Sequence, residues 1–454
     1  MHPGRNLFVA PFVLALGCAA AGATIHVPAD VPSIAAAVAL AAEDDVIELA
    51  PGTYVGEGNR DVVVSVGGIT ILGSGSGSTV IDCQGDPRSP HRAFDVTAPS
   101  FTLAGVTIRN GFVVGAGAGL RAGIQSQRGE LFGEYTVTDC AFEQCTASSG
   151  EGTYGSGAAL AITFATDVTI QGCSFRDNTA DSAAVACQQC GSITVERSIF
   201  DANVGTSGAG GLSASALWSL SLQRCEFGHN TGWYAGAIYS YSDYHSWFNV
   251  RNCLFHDNVG SVLPVGVFGG AQFCEIDYCT FVNNVTDDPE LFYEAIQVDH
   301  GYVRGCILWD GYSSGGLTLA CCIKDGWEGN GSTLADPLFV DPAHEDYHLR
   351  TDSPLLDYGY TPARFGGDVD LDGNTREVDA PWVTNGPYDL NDLGCYELQL
   401  PVPSPDIDHD GSVNAADVAL LLGAWGSCSA CGADLDLDGT VGPADLAILL
   451  GAWS

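Results

Sequence analysis

A short motif built around Cys-x-Phe recurs through the middle of the chain, and it constrains the fold more than any other feature of the sequence. The segments read TDCAFEQC, QGCSFRDN, ERSIFDAN, QRCEFGHN, RNCLFHDN, DYCTFVNN and RGCILWDG, with the Cys position at residues 140, 173, 198, 225, 253, 279 and 306. Intervals of 33, 25, 27, 28, 26 and 27 residues indicate stacked supersecondary units. The repeat consists of short β-type runs separated by Gly and Asn, without a sustained helical period, and therefore predicts a solenoid of β-coils.

Each coil also contains a short apolar strand before the Cys-x-Phe motif. Aligning these strands without gaps places one branched aliphatic residue of each in a single column: Leu160, Val185, Leu212, Ile238, Val267 and Ile296. The phenylalanines of the motif form a second column: Phe142, Phe175, Phe200, Phe227, Phe255 and Phe281. Because alternate residues of a strand point to opposite faces, both columns are predicted to line the interior, and the neighbours of the aliphatic column to face outward.

Asparagine follows most of these phenylalanines at an interval of three, at Asn178, Asn203, Asn230, Asn258 and Asn284. Asn tolerates the left-handed backbone of a tight bend, and stacked Asn side chains can form hydrogen bonds from coil to coil. The column resembles the asparagine ladder of right-handed parallel β-helix proteins of the pectate-lyase-like family.

The likeness extends towards both ends of the repeat. The segment VPADVPSIAAAVALAAEDDVIELAPGTYV resembles the opening of that family, in which a short helix, here about residues 33–42, caps the apolar end of the solenoid. The segment ADPLFVDPAHEDYHLRTDSPLLDYG resembles its closing coils. Over residues 24–398 the resemblance implies an all-β, right-handed parallel β-helix (solenoid) with an N-terminal capping helix. It assigns no activity, because this fold hosts lyases, glycosidases, esterases and adhesins.

Two acidic loops of twelve positions lie 28 residues apart near the C-terminus, followed by the apolar segments VALLLGAW and LAILLGAW. The candidate calcium ligands of the first loop are Asp406, Asp408, Asp410, Ser412, Asn414 and Asp417, and those of the second are Asp434, Asp436, Asp438, Thr440 and Asp445. This spacing directs carboxylates and one carbonyl inward around a Gly turn, as Ca²⁺ requires. Gly442 has no side-chain ligand at the ninth position of the second loop, so water would fill that place.

The paired loops resemble bacterial type I dockerins, which use Asp at the twelfth position where EF-hands use Glu. The resemblance implies a small α-helical, calcium-binding module over residues 406–454, after a linker at 399–405, with a cohesin-like or cell-surface partner. Between the loops, Cys428-x-x-Cys431 is predicted to form a local disulfide. A third acidic run, residues 368–379, is either another calcium loop or an acidic turn that closes the solenoid.

The N-terminus has the pattern of an export signal over residues 1–23, which predicts a secreted or cell-surface protein. Arg5 supplies the positive charge, Leu7 to Leu16 form a short apolar run, and Ala21-Gly22-Ala23 matches a cleavage site before Thr24. A lipoprotein reading at Cys18 lacks the usual large aliphatic residue three positions earlier. No later segment is long and apolar enough to predict a membrane span.

Charge limits the partners. The chain has 55 Asp and Glu against 16 Lys and Arg, a net charge of −39, which repels nucleic acid and anionic membranes. It would also repel a polyanionic sugar unless divalent cations bridge the two. The Arg residues before the Cys column, Arg197, Arg224, Arg251 and Arg304, are interpreted as part of a solvated charge face.

The Cys column leaves two readings open, disulfides between coils or reduced thiols that fill the interior. Stacked parallel strands hold cysteines at a suitable separation but give poor torsions for the bond, so reduced buried thiols are predicted. Cys187-x-x-Cys190 could be a disulfide, a metal pair or two residues of a ladder, and the absence of a second pair at zinc spacing argues against the metal.

The outward positions beside the aliphatic column are predicted to bind polysaccharide. The candidate substrate-binding residues are Tyr239, Tyr241, Phe268, His245 and Trp247, and the candidate catalytic residues are Asp243 and Asp299. Aromatic rings offer flat apolar faces to sugars, and carboxylates can act as acid and base. The two carboxylates lie two coils apart, roughly 9.6 Å at strand spacing, which is wide for a glycosidase pair. Two hypotheses follow: a non-catalytic surface or adhesive β-helix that binds polysaccharide, and a polysaccharide lyase or glycoside hydrolase.

Overall fold

The main body of the molecule is a stack of parallel β-coils, as the repeat predicts. The computed structural model describes residues 22–453 except 124–132, 151, 243–245, 270–271, 288–293, 299, 310–311, 315–316, 325–329, 360–368, 377, 381, 384–390, 400–403, 409 and 429–430. Strands of successive coils form four parallel ladders. The first two ladders belong to one 20-stranded sheet, because the strands Val185–Glu196 and Leu212–Gln223 run through both.

The two long strands link ladders that are otherwise built from short segments. The other strands of the first ladder are Val62–Val64, Phe94–Val96, Leu120–Ala122, Leu160–Thr163, Ile238–Tyr241, Gly266–Gly269, Glu294–Val298 and Tyr312–Ser314. Those of the second are Thr24–Val27, Val46–Leu49, Ile69–Gly73, Ser100–Ala104, Glu134–Thr138, Asp167–Gln171, Trp247–Arg251, Phe273–Asp277, Gly301–Arg304 and Leu317–Leu319.

The third and fourth ladders complete each coil. The 11-stranded third ladder contains Gly52–Val55, Thr79–Asp82, Thr107–Arg109, Ala141–Glu143, Ser174–Arg176, Ile199–Asp201, Glu226–Gly228, Leu254–His256, Thr280–Val282, Ile307–Leu308 and Cys322–Ile323. The 7-stranded fourth ladder contains Phe112–Val114, Thr146–Ser148, Thr179–Ala180, Val204–Gly205, Thr231–Gly232, Val259–Gly260 and Val285–Thr286.

The predicted phenylalanine column is confirmed. From Phe142 to Phe281 each ring lies in register with the next, is fully buried, and stacks at centroid distances of 4.5–5.3 Å. Offset stacking of this kind adds to the burial of apolar area and favours coils of the same shape.

The aliphatic column is confirmed in part. Leu160, Val185, Leu212 and Ile238 pair in succession, but Ile238 then pairs with Gly266, and Gly266 with Ile296. The prediction for Val267 is therefore wrong by one residue, since it stands opposite Tyr239. The structure instead buries Val265, directly before Gly266, and its carbonyl accepts hydrogen bonds from the amides of Ala237 and Ile238 at 3.0 and 2.9 Å. Because side chains alternate along a strand, the one-residue shift removes Val267 from the predicted interior column.

The predicted asparagine ladder is present and continuous. Side-chain Nδ2 donates to Oδ1 of the next asparagine at 3.0, 2.9, 3.0 and 2.8 Å along the series Asn178, Asn203, Asn230, Asn258 and Asn284. Each Nδ2 also donates to a phenylalanine carbonyl in the preceding coil. The left-handed backbone that we expected at the asparagines belongs instead to the residues before them, Asp177, Ala202, His229, Asp257 and Asn283.

The cysteines behave as predicted. Those of the Cys column, like Cys187 and Cys190, are free and buried, and Cys173 Sγ donates to the Val137 carbonyl at 3.4 Å. Burial raises the pKa of Cys187 well above its usual value, which keeps this thiol neutral. Cys428 and Cys431 are joined by a disulfide.

A helix caps the N-terminal end of the solenoid, and the chain after the last coil covers its third ladder. The capping helix spans Ile34–Leu40 and begins at Ser33, whose hydroxyl accepts a hydrogen bond from the Ala36 amide at 3.3 Å. After Ile323 the chain folds back over the third ladder; we call residues 333–399, as far as they are described, the C-terminal cover. It contains the antiparallel strands Phe339–Asp341 and Asp346–Leu349, joined through the 3-10 helix Pro342–His344.

Buried polar contacts attach this cover to the coils. The Arg376 guanidinium lies 4.4 Å from the Tyr278 ring centroid and its Nε donates to Asn252 at 3.1 Å. Buried Asp370, in the third acidic run, accepts hydrogen bonds from the amides of Asn374 and Glu397 at 2.7 and 3.1 Å. These contacts favour the acidic closing turn over a third calcium loop; Asp368 lies outside the described residues.

The C-terminal module contains two short helices, Ala415–Gly423 and Pro443–Gly451, and the antiparallel strands Gly426–Ser427 and Thr440–Val441. Leu421, Leu435, Val441 and Leu449 form its small core. Over the part of the chain that the structure describes, no helix is long and apolar enough to cross a membrane. Residues 1–21, which carry most of the predicted export signal, lie outside the described residues.

Candidate functional site

Two of the predicted sugar-binding residues lie together on the first ladder. Tyr239 and Tyr241 flank buried Ser240 on one strand and point outward, Tyr241 exposed and Tyr239 half-buried. The Tyr239 ring meets the Tyr234 ring edge-on, with centroids 5.1 Å apart. Burial and the neighbouring Tyr234 and Tyr241 hydroxyls raise the pKa of Tyr239, so it is a neutral hydrogen-bond donor.

Of the other residues predicted for this face, Phe268 does not take the expected register. Phe268 pairs with Ser240 and Val298, and so does not share the register column of Tyr239 as we expected. The Phe268 side chain lies outside the described part of the structure, as do residues Asp243, His245 and Asp299. The proposed catalytic pair therefore stays a prediction.

A second set of aromatic residues runs along the second ladder, and the sequence analysis identified only its first member. Trp247 stands opposite Phe273 in the next coil, with ring centroids 5.4 Å apart, and Phe273 meets the Tyr302 ring of the following coil at 5.3 Å. We call these three residues the aromatic strip. Trp247 is 55% exposed and the other two are half-buried, so the strip presents a ridge parallel to the solenoid axis. Trp247 and Phe273 share an interval of six residues before the motif cysteine, which is the signal that could have found them.

Polar groups lie beside the aromatic strip. Asn249 and Glu275 stand opposite each other and Glu275 stands opposite Tyr302. The buried Oδ1 of Asn249 has no hydrogen-bond partner among the described residues. The column next to the rings therefore carries polar oxygens, of which Asn249 Oδ1 is enclosed and Glu275 Oε1 accepts from Arg304 at 2.9 Å.

A buried ion pair fixes the base of the strip. Arg304 donates to both carboxylate oxygens of Asp277, at 2.6 and 2.9 Å, and to Glu275 at 2.9 Å. Its guanidinium lies 5.2 Å from the centroid of the Tyr302 ring. Burial lowers the pKa of Arg304, but hydrogen bonds to Asp277 outweigh it and raise the pKa above its usual value. Reading Arg304 as part of a solvated charge face was therefore wrong, because this side chain is buried and bidentate.

The predicted calcium ligands converge in both loops. One oxygen each from Asp406, Asp408 and Asp417 lie within 4.8 Å of one another, and Asp434, Asp436 and Asp445 form an equivalent group. The residue at the twelfth position, Asp417, is also the third residue of its helix, where both its oxygens accept hydrogen bonds from loop amides. The predicted ligands Asp410 and Asp438 do not belong to these groups, but their backbone amides donate to Asp406 and Asp434, each at 3.2 Å.

The loop geometry fits Ca²⁺. Oxygen ligands about 2.4 Å from a common cation lie up to about 4.8 Å apart. The Gly411 amide donates to Asp406 at 2.9 Å and the Gly439 amide to Asp434 at 2.9 Å, so the tight turn holds the first ligand of each loop in place. A backbone hydrogen bond lowers the pKa of Asp408, but desolvation and the neighbouring aspartates outweigh it and raise the pKa.

Residues 96–320 match the family model described as the right handed beta helix region. The fold is a right-handed parallel β-helix. No curated protein sequence matches the chain. The C-terminal module lies outside the matched residues.

Solved β-helix structures resemble the chain only remotely. The pectate lyase Pel9A is 13% identical, with a TM-score of 0.37, over 81% of this chain and 91% of that one. The PL6 family alginate lyase AlyGC is 12% identical, with a TM-score of 0.30, over 67% and 41%. The pectin methylesterase PemA from Erwinia chrysanthemi is 11% identical, with a TM-score of 0.22, over 66% and 78%. At these values the likeness concerns the fold alone.

Proposed function

We propose that the chain is an exported β-helix that binds polysaccharide along its aromatic strip, and that its C-terminal module binds calcium and docks to a protein partner. The contacting rings of Trp247, Phe273 and Tyr302 carry the first part of this proposal. They meet at tilted and edge-on angles in an apolar ridge across three coils, with Trp247 exposed, the other two half-buried and the Glu275 carboxylate beside them. Extended glycans are recognised by such a combination of stacking and hydrogen bonding.

The negative charge of the chain favours a neutral polysaccharide as the ligand over an acidic one. A net charge of −39 repels uronates and sulfated glycans at long range, and the repulsion persists unless divalent cations bridge the two surfaces. Arg304, the basic residue at the base of the strip, is buried and forms ion pairs with Asp277 and Glu275, so it does not present its charge to a ligand. We therefore expect binding to neutral glycans that persists in the presence of a chelator.

The test is affinity for a panel of neutral and acidic polysaccharides, with Trp247→Ala and Phe273→Ala as variants. Each ring should contribute about 1 kcal/mol, so that each variant binds about fivefold more weakly. Tyr154→Ala is the matched control, because Tyr154 is a comparably exposed aromatic residue on another part of the surface. Unchanged binding by both strip variants would contradict the proposed site. Release of reducing ends or absorbance at 235 nm would show that the protein also cleaves its ligand.

The calcium proposal rests on the oxygen geometry of the two loops. When bound, the ion would neutralise each carboxylate cluster and lock its loop against the following helix. Calorimetry of the full chain should detect about two ions, and Asp410→Ala combined with Asp438→Ala should abolish their heat while leaving the β-helix signal in circular dichroism unchanged. Calcium heat that survives in the double variant would refute the assignment.

The two helices of the module also expose matching apolar residues. Leu420, Leu422 and Trp425 follow the first loop, and Ile448, Leu450 and Trp453 occupy the equivalent positions after the second. Exposed apolar patches of this kind mark protein interaction sites. We propose that they bind a cohesin-like or cell-surface partner. Trp425→Ala with Trp453→Ala should abolish calcium-dependent retention on cell envelopes, and full retention would exclude these patches.

A further inference from the structure

A cluster of histidine and carboxylate side chains lies away from both proposed sites, where the C-terminal cover meets the third ladder. One ligand atom from each of His229, His256, Asp257 and Glu345 lies within 4.8 Å of all the others. His229 and Asp257 occupy the same left-handed turn position in successive coils, with φ of 54° and 52°. His256 ends the strand Leu254–His256, and Glu345 belongs to the cover. Solenoid stacking therefore brings the first three together, and the cover supplies the fourth.

Hydrogen bonds orient the first imidazole. His229 Nδ1 lies 3.1 Å from Asp201 Oδ1, and its Nε2 lies 3.4 Å from Glu345 Oε1. A carboxylate on Nδ1 favours the tautomer that leaves Nε2 as a free electron-pair donor, an arrangement found behind metal-bound histidines. The lone pair of Nε2 then points towards the carboxylate of the cover.

The second imidazole is buried and equally constrained. His256 Nε2 lies 3.2 Å from Glu226 Oε1, and its Nδ1 lies 3.0 Å from Asp257 Oδ2. The residue opposite it in the preceding coil is Gly228, where an added Cβ would lie 2.6 Å from Nε2. The coil thus has room for this ring only because residue 228 has no side chain.

Asp257 is held in place as well. Its Oδ2 accepts a hydrogen bond from the Tyr347 hydroxyl at 3.2 Å, and Tyr347 is buried beneath the cover. Each of these three residues therefore has both a group aimed into the cluster and a partner behind it, as in metal sites whose outer residues position the ligands.

We propose that this cluster is a binding site for a divalent first-row transition metal, with Nε2 of His229, Nδ1 of His256 and the carboxylates of Asp257 and Glu345 as ligands. Imidazole nitrogens with carboxylate oxygens suit Zn²⁺ and its neighbours, whereas Ca²⁺ takes oxygen ligands alone. The site differs in this respect from the two calcium loops. Because Glu345 comes from the cover and the other ligands from the coils, a bound metal clamps the cover to the solenoid.

The experiment uses the full chain after chelator treatment and saturation of the loops with Ca²⁺. Zn²⁺ is titrated by calorimetry, and Co²⁺ by its visible absorption spectrum, which reports coordination geometry. The ligand variants are His229→Asn, since Asn accepts the left-handed backbone, and Glu345→Gln. The matched control is His344→Gln, because this exposed neighbour of Glu345 pairs with Asp341 instead. Asp201→Asn tests the residue behind His229.

We expect saturable binding of one Zn²⁺ per chain and an increase in melting temperature with Zn²⁺ in the wild type and in His344→Gln. Both ligand variants should lose the saturable heat and the Co²⁺ bands, and Asp201→Asn should bind roughly 10- to 100-fold more weakly. The proposal is overturned if the wild type shows no saturable heat and no Co²⁺ spectrum. It is also overturned if His229→Asn and Glu345→Gln bind like the wild type, or if His344→Gln loses binding as they do.

Discussion

The asparagine ladder allows the cost of one side chain to be worked out from the structure. Asn230 is fully buried in the middle of the ladder. Its Nδ2 donates to the Phe200 carbonyl at 2.8 Å and to Asn258 Oδ1 at 3.0 Å. Its Oδ1 accepts from the backbone amide and the side chain of Asn203, at 3.1 and 2.9 Å. Asn230→Ala removes all four hydrogen bonds.

Four hydrogen bonds at about 1 kcal/mol net each predict a loss of about 4 kcal/mol of unfolding free energy. We expect the loss of unfolding free energy to be no smaller than this, because the Asn203 backbone amide loses its acceptor at a place that water does not reach. Asn178→Ala, at the start of the ladder, removes three bonds and should cost about 3 kcal/mol. The structure thus predicts the order of the two effects as well as their size.

Urea titration followed by circular dichroism and by tryptophan fluorescence measures both losses, provided that the two probes give the same transition. Gln223→Ala is the control, since the side chain of this exposed glutamine donates a hydrogen bond to the Ser221 hydroxyl at 3.2 Å and its loss should change stability by less than about 0.5 kcal/mol. A loss below about 1.5 kcal/mol for Asn230→Ala would refute the reasoning that the ladder is a major source of stability.

Three further predictions concern the module, a titrating pair and the core. Asp445→Asn should reduce the calcium stoichiometry by calorimetry from about two ions to about one; an unchanged stoichiometry would contradict this. Burial lowers the pKa of His348, but Asp372 and Asp346 outweigh it and raise the pKa. Its stabilisation is therefore complete below about pH 6.5 and is lost as the pH rises through the folded pKa, so His348→Gln should lose less stability than the wild type between pH 6 and 9 in EDTA. Ile238→Asp should cost about 3–5 kcal/mol and Tyr241→Asp little, by thermal melting, because the first residue is buried and the second exposed; equal effects would contradict the assigned faces.

Those features of the fold that repeat over several successive coils could be predicted from the sequence. The phenylalanine and asparagine columns needed only the interval between motifs, because each coil imposes the same position on the next. The capping helix was predicted at residues 33–42 and spans Ile34–Leu40. The two module helices follow the acidic loops, as the LLGAW segments indicated.

The register of a single strand was harder, and the reason is physical. The segment VGVFGG, residues 265–270, has a valine on each side of Gly266. Alignment of the strands by hydrophobicity therefore favoured Val267 for the interior column. The structure buries Val265 instead and pairs Gly266 with Ile238. Valine stands on both sides of Gly266, so hydrophobicity alone supports either register, and a one-residue shift exchanges the two faces of a strand.

Residues of the candidate sites could likewise be predicted where they belong to the repeat, but not where they lie outside it. His229 and Asp257 could have been recognised as neighbours, because both immediately precede a ladder asparagine, and Phe273 could have been placed beside Trp247 by its distance from the motif cysteine. Tyr302 follows a different interval, and Glu345 lies outside the repeat altogether, on the cover. No periodicity relates the cover to a particular coil, since its position depends on packing of Tyr347 and Leu254 and on the bonds of Arg376. Sequence periodicity can therefore place groups that share the solenoid, but a site completed by the returning chain becomes visible only when that chain is folded against it.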